Sequence, residues 1–265
     1  MKLYTQTSGA GPDLLLIHGW GLHSGIWDGL APLLEPHYRV TRMDLPGHGR
    51  SAWQGQASLD DMTDAVLSTA PATAVWLGWS LGGLLAARAA QRAPARVTAL
   101  VLIASTPCFV RTPGWQAAMP AAVLDAFADQ LGDDYSRTMN RFLSLQVRGS
   151  ETAAGVLREL RSRLLEHGQP AAAALRAGLQ ILRSADLRQA YAAIDCPVLL
   201  LNGARDTLVP VAAGTQAAQL LRNATVAEIP GAGHAPFVGD PRLVADSILG
   251  FLRHVESTRH GVMHG

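Results

Sequence analysis

Residues 75–84 read VWLGWSLGGL and carry the strongest structural signal in the chain. A short run of strand formers meets a Gly-x-Ser-x-Gly pentapeptide, after which small residues begin a helical pattern, so the chain is predicted to turn sharply from strand to helix at Ser80. Gly78 and Gly82 let backbone segments approach closely at this turn, where a Cβ would collide. The turn would present the Ser80 hydroxyl as a nucleophile and aim the Leu81 N–H at a developing oxyanion. The alternative is an ordinary serine in a glycine-rich turn.

The overall composition is that of a globular protein. The 265 residues are 48% hydrophobic and 16% charged, and the formal net charge of +1 gives no reason to expect nucleic acid as a partner. The cysteines are Cys108 and Cys196, which favours a reducing, cytoplasmic compartment over a disulfide framework. No segment has the pattern of a signal peptide or a membrane span, so no membrane is expected as a partner.

Strands and helices alternate around the central segment. Apolar runs at residues 14–17 and 98–105 predict strands that are buried on both faces, and residues 38–43 predict another strand. Ser58 is the predicted N-cap of a helix that runs to about Thr69, because two aspartates occupy its first turn. The alternation predicts an α/β fold with a doubly wound, mostly parallel sheet.

This alternation stops between residues 112 and 185, where only short helical patterns occur. An insertion of helices between core strands is typical of a lid over the carboxyl ends of the strands. Strands are predicted again at 197–202 and 225–229, and a last helix runs from about Pro241 to about Val255. The predicted units are a core at 1–111 and 186–258, a lid at 112–185 and a frayed tail at 259–265.

Two polar residues follow the later strands, at the carboxyl ends where a site would form. Together with Ser80, Asp206 and His234 appear in the order nucleophile, acid, base, which is the order of the α/β-hydrolase fold. His234 would take the hydroxyl proton and return it to the leaving group, while Asp206 would orient the imidazole. The N–H groups of Trp20 and Leu81 would form the oxyanion hole.

Other residues compete for these roles. His48 is a second candidate base, but its loop is too close to the preceding strand to reach the turn at Ser80 easily. Asp186 and Asp195 compete with Asp206, but both precede a strand instead of following it. No group of histidines, cysteines or acids has the spacing of metal ligands, and the glycine-rich turn lacks the lysine of a phosphate loop. Neither a metal nor another cofactor is therefore expected.

Several segments resemble one family across almost the whole chain, including the lid. They are GWSLGG at 78–83, HGWGL at 18–22, GHAPF at 233–237, DLPG at 44–47, STPCF at 105–109 and RTMNRFLSLQ at 137–146. The family is that of the carboxylesterases of biotin synthesis, which cleave the methyl ester of pimeloyl-acyl-carrier protein. The resemblance implies ester hydrolysis without a cofactor. It also implies that a set of pocket and lid residues contacts the substrate: Trp20, Ser80, Leu81, His234, Phe142, Leu143, Ser144, Leu145 and Gln146.

The resemblance further implies that lid arginines dock the acidic carrier protein. Arg137, Arg141 and Arg158 match the family pattern, whereas Ala154 stands where the pattern carries arginine. The arginines that could compensate for Ala154 are Arg148, Arg161 and Arg163. The alternative is an ordinary solvated helix face. Docking through charge would weaken with salt.

Two other functions remain open from the sequence. A broader esterase or carbon–carbon bond hydrolase would share the same three site residues and differ chiefly in the shape of its lid. A further alternative is a catalytically inactive hydrolase that only binds a ligand. The presence of Ser80, Asp206 and His234 argues against it. A monomer is expected, because the sequence has no heptads or swapped elements.

Overall fold

The computed structural model describes residues 2–131, 134–164 and 166–262. A seven-stranded sheet forms the centre, with the order β1-β3-β2-β4-β5-β6-β7. The strands are β1 (Thr5–Ser8), β2 (Asp13–Ile17), β3 (Arg39–Met43), β4 (Ala74–Trp79), β5 (Val97–Ile103), β6 (Val198–Gly203) and β7 (Ala224–Ile229). All neighbouring strands pair in parallel except β1, which is antiparallel to β3. The predicted doubly wound, mostly parallel sheet is therefore confirmed.

The strands that were predicted as continuous apolar runs are those buried on both faces. Every residue of β4 and β6 is buried, and β2 is buried from Leu14 onward. The edge strand β1 was not predicted, because its sequence TQTS is polar and its residues are only partly covered. An edge strand needs no apolar run, since only one of its sides is paired.

Helices cover both faces of the sheet. They are α1 (Ala31–Leu34), α2 (Leu59–Thr69), α3 (Leu81–Arg92), α4 (Ala121–Leu131), α5 (Tyr135–Gln146), α6 (Ala153–Arg163), α7 (Ala172–Ser184), α8 (Arg188–Tyr191), α9 (Val211–Ala218), α10 (Pro236–Gly239) and α11 (Pro241–Val262). Short 3-10 helices occupy Ser24–Trp27 and Pro94–Arg96. None of the helices in the described ranges is both long and apolar enough to cross a membrane.

The start of α2 agrees with its predicted position, whereas the end of α11 does not. Ser58 caps α2 as predicted, since its hydroxyl accepts from the Asp61 N–H while the Asp61 carboxylate accepts from the Ser58 N–H. The predicted end of α11 near Val255 is wrong, because the helix continues to Val262. Residues 259–262 of the predicted frayed tail thus belong to this helix, and 263–265 lie outside the described residues.

The helices α4 to α8 lie between β5 and β6 in the chain, and α4 to α7 fall within the segment predicted as a lid, a name that is kept for them below. Their apolar residues recur at helical spacing, so each helix can bury one face. In α5 the buried side chains include Met139, Phe142, Leu143 and Gln146, which follow each other by three, one and three residues. The lid is therefore anchored by one face of each helix, while its opposite faces meet solvent.

Candidate active site

The turn between β4 and α3 places Ser80 in an unusual backbone conformation. Its φ is 54° and its ψ is −116°, in a region that residues other than glycine rarely adopt. A Cβ on Gly78 would collide with the backbone of Gly82, so the close crossing of strand and helix requires glycine. The Ser80 N–H donates to the Ile103 carbonyl at 3.0 Å, and the Ser105 hydroxyl donates to the Ser80 carbonyl at 2.9 Å. These contacts hold the strained residue in place.

The structure brings Ser80, His234 and Asp206 into one chain of hydrogen bonds. Ser80 Oγ lies 3.0 Å from His234 Nε2, and His234 Nδ1 lies 2.8 Å from Asp206 Oδ2. The other carboxylate oxygen, Oδ1, accepts from the N–H groups of Leu208 at 2.8 Å and Val209 at 3.0 Å. An ionised carboxylate can only accept hydrogen bonds, so His234 Nδ1 must carry the proton that is donated to Asp206. In this tautomer of His234, Nε2 is unprotonated and can accept the Ser80 proton.

The loop of His234 is held from two sides. The Trp79 indole Nε1–H donates to the His234 carbonyl at 2.8 Å, and the His234 N–H donates to the Gln146 carbonyl in the lid at 2.9 Å. His234 is 1% exposed and Ser80 is 5% exposed. In such a shielded place, charge that develops during a reaction interacts strongly with fixed dipoles.

Two backbone N–H groups near the turn have no assigned acceptor. Among the described residues, neither Trp20 nor Leu81 donates its N–H to another group. The Trp20 indole is fixed from the lid side, since Nε1–H donates to the Leu175 carbonyl at 2.8 Å and the ring meets Phe142 edge-on at 4.7 Å. The geometry therefore leaves both N–H groups available to an anionic oxygen.

The lid residues expected to contact substrate divide by helix face. The buried face of α5 carries Phe142, Leu143 and Gln146. The Oε1 atom of Gln146 has no hydrogen-bond partner among the described residues. Leu145 is half-buried. Ser144 lies on the outer face, where its exposed hydroxyl donates to the Asn140 carbonyl. The helical spacing of α5 thus directs the Ser144 side chain to the outer face of the lid, and its expected substrate contact stays a prediction.

His48 is not part of the hydrogen-bond chain at Ser80. It is fully buried beside His18, with ring centroids 5.4 Å apart. Its Nε2 accepts weakly from the Gly21 N–H at 3.4 Å, and its Nδ1 lies 3.0 Å from the Pro46 carbonyl. Burial lowers the pKa of His48 to about 4 and that of His18 to about 3. Both rings are therefore neutral structural groups near neutral pH.

The competing aspartates also lie in other contacts. Asp186 forms an ion pair with Arg188, and Asp195 forms one with Arg222. Neither carboxylate takes part in the hydrogen-bond chain at His234.

The lid arginines differ in how far they are engaged. Arg137, Arg141 and Arg158 are exposed, and Arg141 donates to Gln130 at 2.8 Å. Arg163 is committed to Asp28, Glu159 and Glu166, so it cannot replace the arginine missing at Ala154 without breaking these ion pairs.

Arg161 lies seven residues after Ala154 and three after Arg158 on α6, which puts all three on one face. In the described part of the chain, Arg148, Arg158 and Arg161 make no ion pair. Arg161 is thus the candidate best placed to compensate for Ala154.

One cluster was not visible in the sequence. His23, Glu166 and His167 offer ligand atoms that all lie within 4.8 Å of one another. Spacing along the chain could not reveal this group, because the fold alone brings the loop after β2 to the connection between α6 and α7. The Trp79 contact with His234 was missed for the same reason.

Comparisons with known proteins agree with this geometry. A family model described as the alpha/beta hydrolase fold matches residues 12–241. A pimeloyl-[acyl-carrier protein] methyl ester esterase from Pectobacterium carotovorum is 47% identical over 251 residues, covering 94% of this chain and 98% of that protein. A protein of the same name from Nitrosomonas europaea is 45% identical over 240 residues, covering 91% and 95% of the two chains.

Solved structures show the same architecture. A hydrolase from Pseudomonas aeruginosa superposes with a TM-score of 0.79 at 28% identity and covers 94% of this chain and 93% of that chain. A bromoperoxidase from Bacillus anthracis superposes with a TM-score of 0.88 at 20% identity, with 95% of each chain covered. The second likeness concerns the fold alone.

Proposed function

The chain belongs to the α/β-hydrolase family, and we propose that it is a serine carboxylesterase that hydrolyses the methyl ester of pimeloyl-acyl-carrier protein in biotin synthesis. The observation that carries this proposal is the hydrogen-bond chain from Ser80 through His234 to Asp206. The relatives named for this reaction support the choice of substrate, since they match nearly the full length of the chain.

Acylation would begin with transfer of the Ser80 proton to His234 Nε2 as Oγ attacks the ester carbonyl. Asp206 would stabilise the imidazolium through Nδ1–H, and the N–H groups of Trp20 and Leu81 would bind the oxyanion. Each such donor contributes about 3 kcal/mol to lowering the barrier. The bond to the methoxy group then breaks, and methanol leaves with the proton held by His234.

Deacylation would follow the same path with water as nucleophile. His234 would remove a proton from the water, whose oxygen attacks the acyl carbonyl, and would then return the proton to Ser80 Oγ as the acyl–serine bond breaks. The products are the free carboxylate on the carrier and a regenerated serine. No cofactor is needed for any of these steps.

The lid would supply the binding surface for the acyl chain. Trp20, Phe142 and Leu143 offer buried apolar surface close to the turn, which suits a saturated chain. Among the residues described, α5 buries two polar groups without a hydrogen-bond partner, Gln146 Oε1 and the Tyr135 hydroxyl. Because Ser80 is shielded, we infer that a carrier-bound ester reaches it by parting the lid from the core.

The carrier protein would dock on the exposed arginines of the lid. Arg137 and Arg141 lie four residues apart on α5, and Arg158 lies on the adjoining α6. Their charge complements an acidic partner and leaves the apolar face of each helix to the core. We also propose that the enzyme acts in the cytoplasm, which the free thiols of Cys108 and Cys196 support, and that it is a monomer.

The decisive experiment measures methanol release from pimeloyl-acyl-carrier-protein methyl ester and from a free short methyl ester, at low and moderate salt. We expect rapid turnover of the carrier-bound ester that falls with salt and disappears in Ser80→Ala. Turnover of the free ester alone would contradict the carrier-bound substrate and leave a general esterase. Equal release by wild type and Ser80→Ala would overturn the catalytic assignment itself.

A further inference from the structure

His23, Glu166 and His167 form a compact group at the junction of lid and core. His23 lies in the loop after β2 and caps the 3-10 helix Ser24–Trp27, whereas the other two residues lie between α6 and α7. The ligand atoms of the three side chains lie within 4.8 Å of one another, and the two imidazole centroids are 4.6 Å apart. We propose that these residues bind a divalent transition-metal ion of the zinc type, which ties the lid to the core.

The orientation of His23 suits metal binding through Nδ1. Its Nε2 lies 2.7 Å from the Arg163 carbonyl, so Nε2 carries the proton and Nδ1 is the unprotonated nitrogen. Nδ1 accepts from the Gly25 N–H at 3.1 Å. Metal-bound histidines usually donate their second N–H to a carbonyl or carboxylate, which orients the ring. That supporting bond is already present, and only the Gly25 contact would be exchanged for the ion.

The carboxylate of Glu166 faces the same small space. A Cβ built on Gly25 would lie 3.0 Å from His23 Nδ1 and 3.4 Å from Glu166 Oε2, so both atoms border the volume beside this glycine. Glu166 Oε2 also accepts from Arg163 at 3.0 Å. A carboxylate has about four lone-pair directions over its two oxygens, so it can bind an ion and keep this partner.

The chemistry of the three side chains selects the type of ion. Two imidazoles and one carboxylate are ligands that Zn²⁺ prefers, with water in the fourth position, whereas Mg²⁺ and Ca²⁺ prefer oxygen ligands. Burial lowers the pKa of His23, which favours its neutral form. Burial opposes ionisation of Glu166, but the hydrogen bond from Arg163 still keeps the pKa of this carboxyl below its ordinary value. Neutral imidazole and ionised carboxylate are the forms that bind metal.

The position of the site gives the ion a role in the movement of the lid. His23 and Trp20 share the loop after β2, and Trp20 is also bonded to Leu175 of the lid. A bound ion would add a second link between the same two parts of the chain. It would therefore stabilise the closed lid and slow the admission of a carrier-bound ester. The ion takes no part in the hydrolytic steps, so metal binding is independent of the proposed substrate, whereas its effect on the admission of the ester rests on the proposed function.

The test uses the full chain after removal of metals with a chelator. Zn²⁺ binding is measured by competition with a chromophoric chelator, and one equivalent is expected to bind. His23→Gln, Glu166→Gln and His167→Gln should each weaken the affinity at least about tenfold, since each removes one ligand. Glu159→Gln is the matched control, because it removes another carboxylate from Arg163 but none from the cluster. His254→Gln removes an exposed histidine from α11 and is a second control.

A second measurement guards against variants that fold poorly. Co²⁺ should give the intense visible absorption of a four-coordinate site in wild type and in Glu159→Gln, and this signal should be lost in His167→Gln. Zn²⁺ should also raise the melting temperature of wild type and leave that of His167→Gln unchanged. Absence of binding to wild type would overturn the proposal. So would an affinity that Glu166→Gln and His167→Gln leave unchanged, because the ion would then sit on other histidines.

Discussion

The indole N–H of Trp79 donates a 2.8 Å hydrogen bond to the carbonyl of His234, so the residue that precedes Ser80 also fixes the loop of the proposed base. The rings of Trp79 and Phe237 meet edge-on at 5.2 Å and support the same loop from the side. The lid holds the other end of the peptide at His234, through the Gln146 carbonyl. The position of the imidazole is thus set jointly by the strand, the loop and the lid.

Replacing Trp79 by phenylalanine should misplace the base without unfolding the protein. Phenylalanine keeps an aromatic ring against Phe237 but removes the donor to His234, so we expect the lost hydrogen bond to cost about 1 kcal/mol of unfolding free energy, in addition to the packing lost with the smaller ring. A small displacement of a catalytic group is costly, and kcat should fall about tenfold or more. Ester hydrolysis and urea unfolding measure the two effects.

Trp76→Phe is the matched control for this change. Trp76 lies three residues earlier in the same strand and is fully buried, but its indole N–H has no partner among the described residues. The variant should therefore lower stability through lost packing and leave kcat close to that of wild type. Similar losses of kcat in both variants would contradict a specific role of the Trp79 hydrogen bond.

Local sequence signals predicted the central part of the fold well. The strand before Ser80 ends at Trp79 and the helix begins at Leu81, which confirms the predicted turn, because both the apolar run and the glycine turn act locally. The contact between Trp79 and His234 could not be read in this way, since 155 positions separate the two residues. The His23 and His167 pair escaped for the same reason. The outward direction of Ser144 depends on the register of α5, which a single motif does not define.

A methyl group on Gly178 should disturb the proposed oxyanion hole from the lid side. A Cβ at this position of α7 would lie 2.5 Å from Trp20 Cδ1 and 3.3 Å from Leu81 Cδ2, so the tryptophan ring must move. Because the Trp20 N–H is a proposed oxyanion donor, we expect Gly178→Ala to lower kcat about tenfold. Steady-state hydrolysis of a short methyl ester measures this effect directly.

Gly155→Ala provides the control within the lid. No atom lies within 4 Å of a Cβ built on Gly155 in α6, so alanine fits without displacement. Alanine is favoured over glycine inside a helix by up to about 1 kcal/mol, so the variant should be slightly more stable and equally active. If Gly178→Ala is as active as Gly155→Ala, the contact of α7 with Trp20 has no catalytic consequence.

Acid should destabilise the protein in a defined range of pH because of His18 and His48. In both rings Nε2 faces a backbone N–H, from Leu45 and Gly21 respectively, so protonation would set two donors against each other. Burial lowers the pKa of His48 from 6.5 to about 4 and that of His18 from 6.5 to about 3. The unfolded chain therefore takes up protons first. The neutral forms of His18 and His48 therefore stabilise the folded protein. Their contribution to the free energy of unfolding is fully present above pH 6.5 and is lost as the pH falls towards the two folded-state pKa values.

His48→Gln isolates one of these groups, since glutamine does not titrate. The variant should be less stable than wild type near neutral pH, and the gap should narrow by about 2 kcal/mol between about pH 8 and about pH 5. Urea unfolding at several pH values measures this gap. A gap that stays constant over the range would show that His48 does not titrate differently in the folded and unfolded chains.

Protonation of Asp44 should cause a further loss of folding stability at lower pH. Burial opposes its ionisation, but hydrogen bonds from Arg50 and from the Ser24 N–H keep its pKa well below the ordinary value of 3.8. Because the folded-state pKa is depressed, the stabilisation is present above this ordinary value and is lost as the pH falls below it. Asp44→Asn should therefore reduce the steepness of acid unfolding below about pH 4, which circular dichroism can follow.

Neutralising Arg158 should lower kcat/KM for the carrier-bound ester and leave kcat/KM for a free ester unchanged. Arg158 is exposed on the outer face of α6, so its removal leaves the core intact. Arg158→Gln should lower kcat/KM for the carrier-bound ester about threefold to tenfold at low salt, and added salt should reduce the difference because it screens the attraction. Arg222→Gln is the control, since Arg222 precedes the amino end of β7 and pairs with Asp195, whereas the site residues follow the carboxyl ends of the strands. An equal loss on both esters would mean that Arg158 acts through the lid itself and not through the carrier protein.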